Sequence, residues 1–161
     1  TTWGYAYNID FLRLTMDKFE KIMRFVLRWE TGGDMVGGGY TNDPHDPGGE
    51  TKWGISKRSY PNIDIKMLTI DEAKMLYKAN YWNPLNCDLL DYPLALALMD
   101  SAVNCGVSRV KEWLRRGGPD WKSILLYRVN HYASLNKDLK KRFMTGWINR
   151  VADAFNNILT P

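Results

Sequence analysis

At Glu30 the chain changes character, and the change limits what it can fold into. Upstream, Phe19, Ile22, Met23, Val26 and Trp29 recur three and four residues apart, the stripe of an amphipathic helix, and Glu30 falls on the same stripe. Downstream, residues 31–54 hold eight glycines and two prolines, with Asp43-Pro44, Asp46-Pro47 and Gly48-Gly49 as turn signals. No regular helix runs through such a stretch. Tyr40-Thr41 and Thr51–Ile55 are predicted to be short strands between the turns, forming a small twisted hairpin or three-stranded sheet. A lone carboxylate closing an apolar face is costly unless it is paired or protonated. The junction therefore makes a chemical demand.

The rest of the chain reads as helix. Thr69-Ile70-Asp71-Glu72 is a capping box and should open a helix running to about Asn80. Pro93 to Cys105 is apolar nearly all round, which predicts a buried central helix ending at Gly106. Val110, Trp113 and Leu114 mark a short helix closed by Gly117-Gly118; Trp121 to Leu135 marks another, and Phe143 to Leu159 is the most regular stripe of all. The predicted fold is mainly α, of α+β type, with six helices and one small β-element inserted after the first. The 161 residues suit one compact domain or two closely packed lobes. Residues 1–15 are expected to form an arm or linker, with the core domain starting at residue 16.

Composition narrows the function. The longest purely apolar run, Leu94 to Met99, is far short of the ~20 residues that span a bilayer, so no integral membrane segment is expected. No secretory signal is recognisable. Cys87 and Cys105 form no CxxC pair and read as two small buried thiols of a protein made in a reducing cytosol. Charge is uneven: residues 1–90 carry 11 basic and 12 acidic side chains, residues 91–161 carry 11 and 6. A basic half suits an anionic lipid surface, a bacterial wall or nucleic acid, and a solvated helical face explains it equally well. No nucleic-acid docking motif is recognisable, and none is expected as a partner.

Glycoside cleavage needs one group to protonate the leaving oxygen and a carboxylate to act as nucleophile or to activate water. The proton donor works best where partial burial among apolar groups keeps it protonated. The place of Glu30 on the stripe fits, although a glutamate paired with Arg28 or Arg150 would fit as well. Asp43 and Asp46 are candidates for the second carboxylate, on polar turns whose glycine amides can hold an anion. Pro47-Gly48-Gly49 should bring Asp46 and Thr51 to the same side of the hairpin, while Asp43 suits an Asx-type turn. Tyr40 and Trp53 flank these residues and offer aromatic faces for sugar rings. Other chemistries are weakly supported. Asp43, His45 and Asp46 crowd into one short loop that would hardly enclose a metal, and no metal or organic cofactor is expected. Gly54-Ile55-Ser56 lacks the glycine of a nucleophile elbow, and Gly37–Gly39 leads into no phosphate-binding helix.

The string E30-T-G-G followed by NDPHDPGGETKWGIS resembles glycoside hydrolase family 108, phage and bacterial muramidases with a motif of roughly EGG and then NDP-x-DPGG-x-T-x-x-GI. NYWNPLNCDLLDYPLALALMDSAVNCG at 80–106 resembles the family's D-x-A-V-N-x-G helix, and RVNHYASLNKDLKKRFMTGWINRV at 128–151 its closing F-x-x-G-W-x-x-R helix. Thr31 departs from the pattern, replacing the first glycine. The resemblance implies a lysozyme-like fold with the β-element lining a cleft, a catalytic lobe over 16–90, and a helical lobe over 91–161 resembling a peptidoglycan-binding region. It implies hydrolysis of the β-1,4 bond between N-acetylmuramic acid and N-acetylglucosamine in bacterial cell walls, with a lytic transglycosylase or a non-catalytic wall-binding module as the alternatives. Glu30, Asp46 and Thr51 would be catalytic, and Asp100 and Asn104 would line the cleft, though helix packing would explain those two equally. The expected protein is a monomer made in the host cytoplasm and acting on peptidoglycan, either free or as a domain of a larger phage protein.

Overall fold

The computed structural model describes residues 18–43 and 48–160. It is mainly helical with one small antiparallel sheet, a lysozyme-like α+β fold. The chain divides into two compact units at Ala79/Asn80.

In the first unit, helix α1 runs through 18–30. Ile22, Met23 and Val26 of the stripe are fully buried, joined by Phe25 and Leu27, so the buried face is wider than the stripe alone. Strands β1 (Thr51–Lys52) and β2 (Ile55–Ser56) pair Thr51 with Ser56 and Lys52 with Ile55. Thr41 joins β1 by a single bridge to Thr51, with N–H to carbonyl distances of 2.9 Å both ways. The β-element thus lies between the two predicted forms, a hairpin with one further segment tacked to its side. Its two-residue turn is Trp53-Gly54, with φ of 54° and 73°. Positive φ at both positions is what the tight hairpin turn matching strand twist requires.

Helix α2 (Ile70–Tyr77) opens with the predicted capping box: Thr69 Oγ1 accepts from the Glu72 amide, and the Glu72 carboxylate accepts from the Thr69 amide. It does not continue as α-helix to Asn80. The segment Lys78–Trp82 is a π-helical turn.

The second unit is helical. After 3-10 turns at Asn83–Leu85 and Cys87–Leu89 come α3 (Tyr92–Cys105), α4 (Val107–Gly117), α5 (Trp121–Ser134) and α6 (Lys137–Leu159). Asp91 caps α3 by accepting from the Leu94 amide, and the nine residues Leu94 to Ala102 are all buried. An apolar helix of this kind must be surrounded, and α4, α5 and α6 each pack on it. Asp120 and Asn136 cap α5 and α6 with their side chains.

Candidate active site

Glu30 is half-buried in the last turn of α1. The helix stops there because the chain folds back: the Thr31 amide bonds the Leu27 carbonyl at 2.9 Å and the Gly33 amide the Arg28 carbonyl at 2.8 Å. The hairpin turn rests against Glu30. A Cβ on Gly54 would lie 2.9 Å from Glu30 Cβ and 3.0 Å from its Cγ, and would overlap the Tyr77 hydroxyl. Glycine is required here both by the space and by the left-handed backbone.

The turn is held firmly. Tyr77 donates its hydroxyl to the Trp53 carbonyl at 3.0 Å. The Trp53 amide donates to the Gly38 carbonyl at 2.7 Å, and the indole Nε1 donates to the Leu68 carbonyl at 3.2 Å. These bonds stabilise a left-handed conformation that is unfavourable for a tryptophan.

Thr51 is half-buried on β1, and its Oγ1 donates to the Gly49 carbonyl at 3.2 Å. Asp46 lies outside the described residues. Tyr40 is exposed and donates its hydroxyl to Glu50 at 2.8 Å, which raises its pKa above the usual tyrosine value. Two expectations are corrected. Trp53 is only 4 % exposed, with its ring pressed beneath Gly38, where a Cβ would come within 2.5 Å of it; it supports the turn and has no open face for a sugar. Asp100 has no exposed surface. Burial alone would raise its pKa, but Arg128 and Arg150 outweigh burial and hold the carboxyl below its ordinary value. It ties helices together and does not line a cleft. Asn104 is exposed near the end of α3, its Oδ1 accepting from the Tyr132 hydroxyl. Glu30, Thr51, Tyr40 and Trp53 thus belong to the first unit, Asp100 and Asn104 to the second.

Three contributors escaped the sequence reading. Gly54 and Tyr77 act through the turn, and nothing local in the sequence links residue 77 to residue 53. Asp34 had a local signal: a short acid followed by glycines at 37–39 is an anion-in-a-turn pattern. Its carboxylate accepts from the amides of Val36 (3.2 Å), Gly37 (2.8 Å) and Gly39 (3.1 Å), and the bonds from Gly37 and Gly39 above all lower its pKa.

Among the described residues no cluster of three or more His, Cys, Asp or Glu stands together as a metal site, and no helix is long and apolar enough to cross a membrane. A groove of about 230 Å³ between α1 and α2, lined by residues including Phe19, Lys74 and Met75, contains none of the candidate residues.

The structure of Brucella abortus SagA superimposes with a TM-score of 0.69 at 24% sequence identity, over 90% of this chain and 95% of that one, which establishes the shared fold. No curated protein matches. Residues 23–106 match the family described as Glycosyl hydrolase 108. That span covers more than half the chain and includes Glu30, Thr51 and the Trp53-Gly54 turn, so the chain belongs to the glycosyl hydrolase 108 family and is a glycoside hydrolase.

Proposed function

We propose that the chain is a peptidoglycan muramidase of phage or prophage type, cleaving the β-1,4 bond between N-acetylmuramic acid and N-acetylglucosamine. Glu30 donates the proton to the glycosidic oxygen, and Asp46, assisted by Thr51, activates water or stabilises the oxocarbenium-like transition state. The observation that carries this reading is the lodging of Glu30, half-buried at the end of α1, against a hairpin turn whose glycine leaves no spare space beside it. An acid held by a rigid neighbour loses little entropy on meeting its substrate. Tyr40, on the exposed surface of the same unit, supplies an aromatic face for a sugar ring. The basic second half of the chain assists approach to the anionic envelope.

The test is digestion of purified peptidoglycan by the wild type and by Glu30→Gln, with mass spectrometry of the fragments. Reducing muramic ends from the wild type, and almost none from the variant, are expected. Anhydro ends would make the protein a lytic transglycosylase. Binding to sacculi with no release of fragments would make it a wall-binding module, and cleavage that survives in Glu30→Gln would place the acid elsewhere.

A further inference from the structure

We infer that the outer face of α6 binds the surface of a bilayer rich in anionic phospholipid, with the helix lying in the headgroup layer and not crossing it. The inference stands apart from the peptidoglycan reading and uses none of its candidate residues.

Helix α6 is apolar on two sides. One side serves the fold: Val151, Ala154 and Ile158 are buried there, and Arg150 beside them pairs with Asp100. The other side is a second stripe of Met144, Ile148, Phe155 and Leu159, spaced as residues that share one helix face. Ile148, Phe155 and Leu159 are 38 %, 39 % and 60 % exposed, so the core leaves much of this stripe uncovered. Followed toward the start of the helix, the same spacing reaches Lys141 and then Lys137, both exposed. Neither lysine forms an ion pair among the described residues, whereas Arg115 and Arg116 both pair with Glu112. The two acids of α6, Asp138 and Asp153, fall on other sides of the helix by that spacing. Toward the far end Phe155 meets Trp121 edge-on, with centroids 5.0 Å apart, and Lys122 lies 5.6 Å over the same indole.

This arrangement selects its occupant. An apolar stripe flanked by lysines and free of carboxylates suits a helix lying in the plane of an anionic membrane interface. Its apolar side chains enter the acyl boundary, while the lysine stems carry their charges up to the headgroup phosphates. Tryptophan favours that same depth. A second copy of the chain is a poor match, because it brings no carboxylate to the lysines. Paired antiparallel about Ile148, Lys141 would face Phe155 and Lys137 would face Leu159; paired parallel, lysine would face lysine. A soluble polyanion would neutralise the lysines and leave the apolar stripe in water.

The experiment is co-sedimentation of the full chain with vesicles of phosphatidylcholine alone and of phosphatidylcholine mixed with phosphatidylglycerol, at low and high salt. Binding to the mixed vesicles is expected, weakened by salt and at least about tenfold weaker on phosphatidylcholine alone. Lys137→Gln with Lys141→Gln should weaken it about 25-fold, roughly fivefold per lysine. Ile148→Gln and Leu159→Gln should each cost about tenfold with an unchanged melting temperature, since both side chains are exposed. Phe155 stays in every variant because it packs on Trp121. No binding to the mixed vesicles, or equal binding to both kinds, overturns the inference. Binding that survives both pairs of substitutions overturns the assignment to α6. A dimer in sedimentation equilibrium that Ile148→Gln and Leu159→Gln dissolve, without vesicle binding, gives the stripe to a second copy. The vesicles carry no glycan, so failure here leaves the muramidase reading untouched.

Discussion

Asp100 in the second unit and Glu30 in the first both stand on packed helices, and they differ in how deeply they are buried. Asp100, in the middle of α3, has no exposed surface and is gripped by two guanidiniums. Glu30, at the end of α1, keeps part of its surface in solvent and rests against the backbone of a hairpin turn. A carboxylate surrounded by cations has its charge settled and becomes scaffold. A carboxylate that keeps part of its surface in solvent can still exchange a proton with what arrives. Position on an apolar helical face does not by itself fix how deeply an acid is buried; what packs over it does.

The comparison can be broken most forcefully at Glu30. Glu30→Gln should lower peptidoglycan turnover by roughly 10²–10⁴-fold, the usual share of general acid catalysis, while circular dichroism and melting stay close to wild type. Asp100→Asn should do the reverse. It removes the carboxylate that Arg128 and Arg150 both bond, and urea titration should show a loss of about 3–5 kcal/mol with the rate per folded molecule retained. If Asp100→Asn instead abolished turnover in a stable protein, the assignment of Asp100 to scaffold would fail.

Acid sharpens the same contrast. The pKa of Asp100 in the folded protein lies below the ordinary aspartate value of about 3.9, so its contribution to stability is complete above that value. It drains away as the pH falls below it, through the folded value. A stability–pH profile of Asp100→Asn should be flatter than wild type in that acidic range.

Gly54→Ala probes the packing that positions Glu30. The added methyl meets Glu30 Cβ at 2.9 Å on a backbone with φ of 73°. A cost of about 1–3 kcal/mol is expected from strain and overlap. A displaced Glu30 should slow turnover about tenfold to a hundredfold; wild-type kcat in this variant would show that the turn does not position the acid. Smallest of all, Thr69→Ala removes the cap of α2 and should cost ~1 kcal/mol in thermal unfolding without touching kcat.

Much of the fold was legible before the structure. The stripe of α1, the Thr69–Glu72 box, the all-apolar α3 and the Gly106 and Gly118 stops are local signals, and each appears where expected. Periodicity and caps act within a few residues, so one sequence displays them. Less legible was what the loop after α1 does with its parts. Trp53 looked like a sugar platform because it neighbours a polar loop, yet only the tertiary contact with Gly38 decides that its ring is buried. Asp100 matched the D-x-A-V-N-x-G string, which left lining and helix packing equally open; the partners that decide it, Arg128 and Arg150, are 28 and 50 residues away. The π-turn at Lys78–Trp82 had no cue either, since its residues are ordinary helix formers.

The bonds around the Trp53-Gly54 turn have a consequence in time. Glycine-rich loops commonly exchange their amide hydrogens with solvent within moments, because opening them costs little. Here the Trp53 amide is bonded to Gly38, its indole to Leu68 and its carbonyl to Tyr77. That amide should exchange on the slow schedule of the helical core. A glycan strand reaching the first unit therefore meets this turn already built, and its arrival rate is set by diffusion and charge, not by waiting for the turn to form.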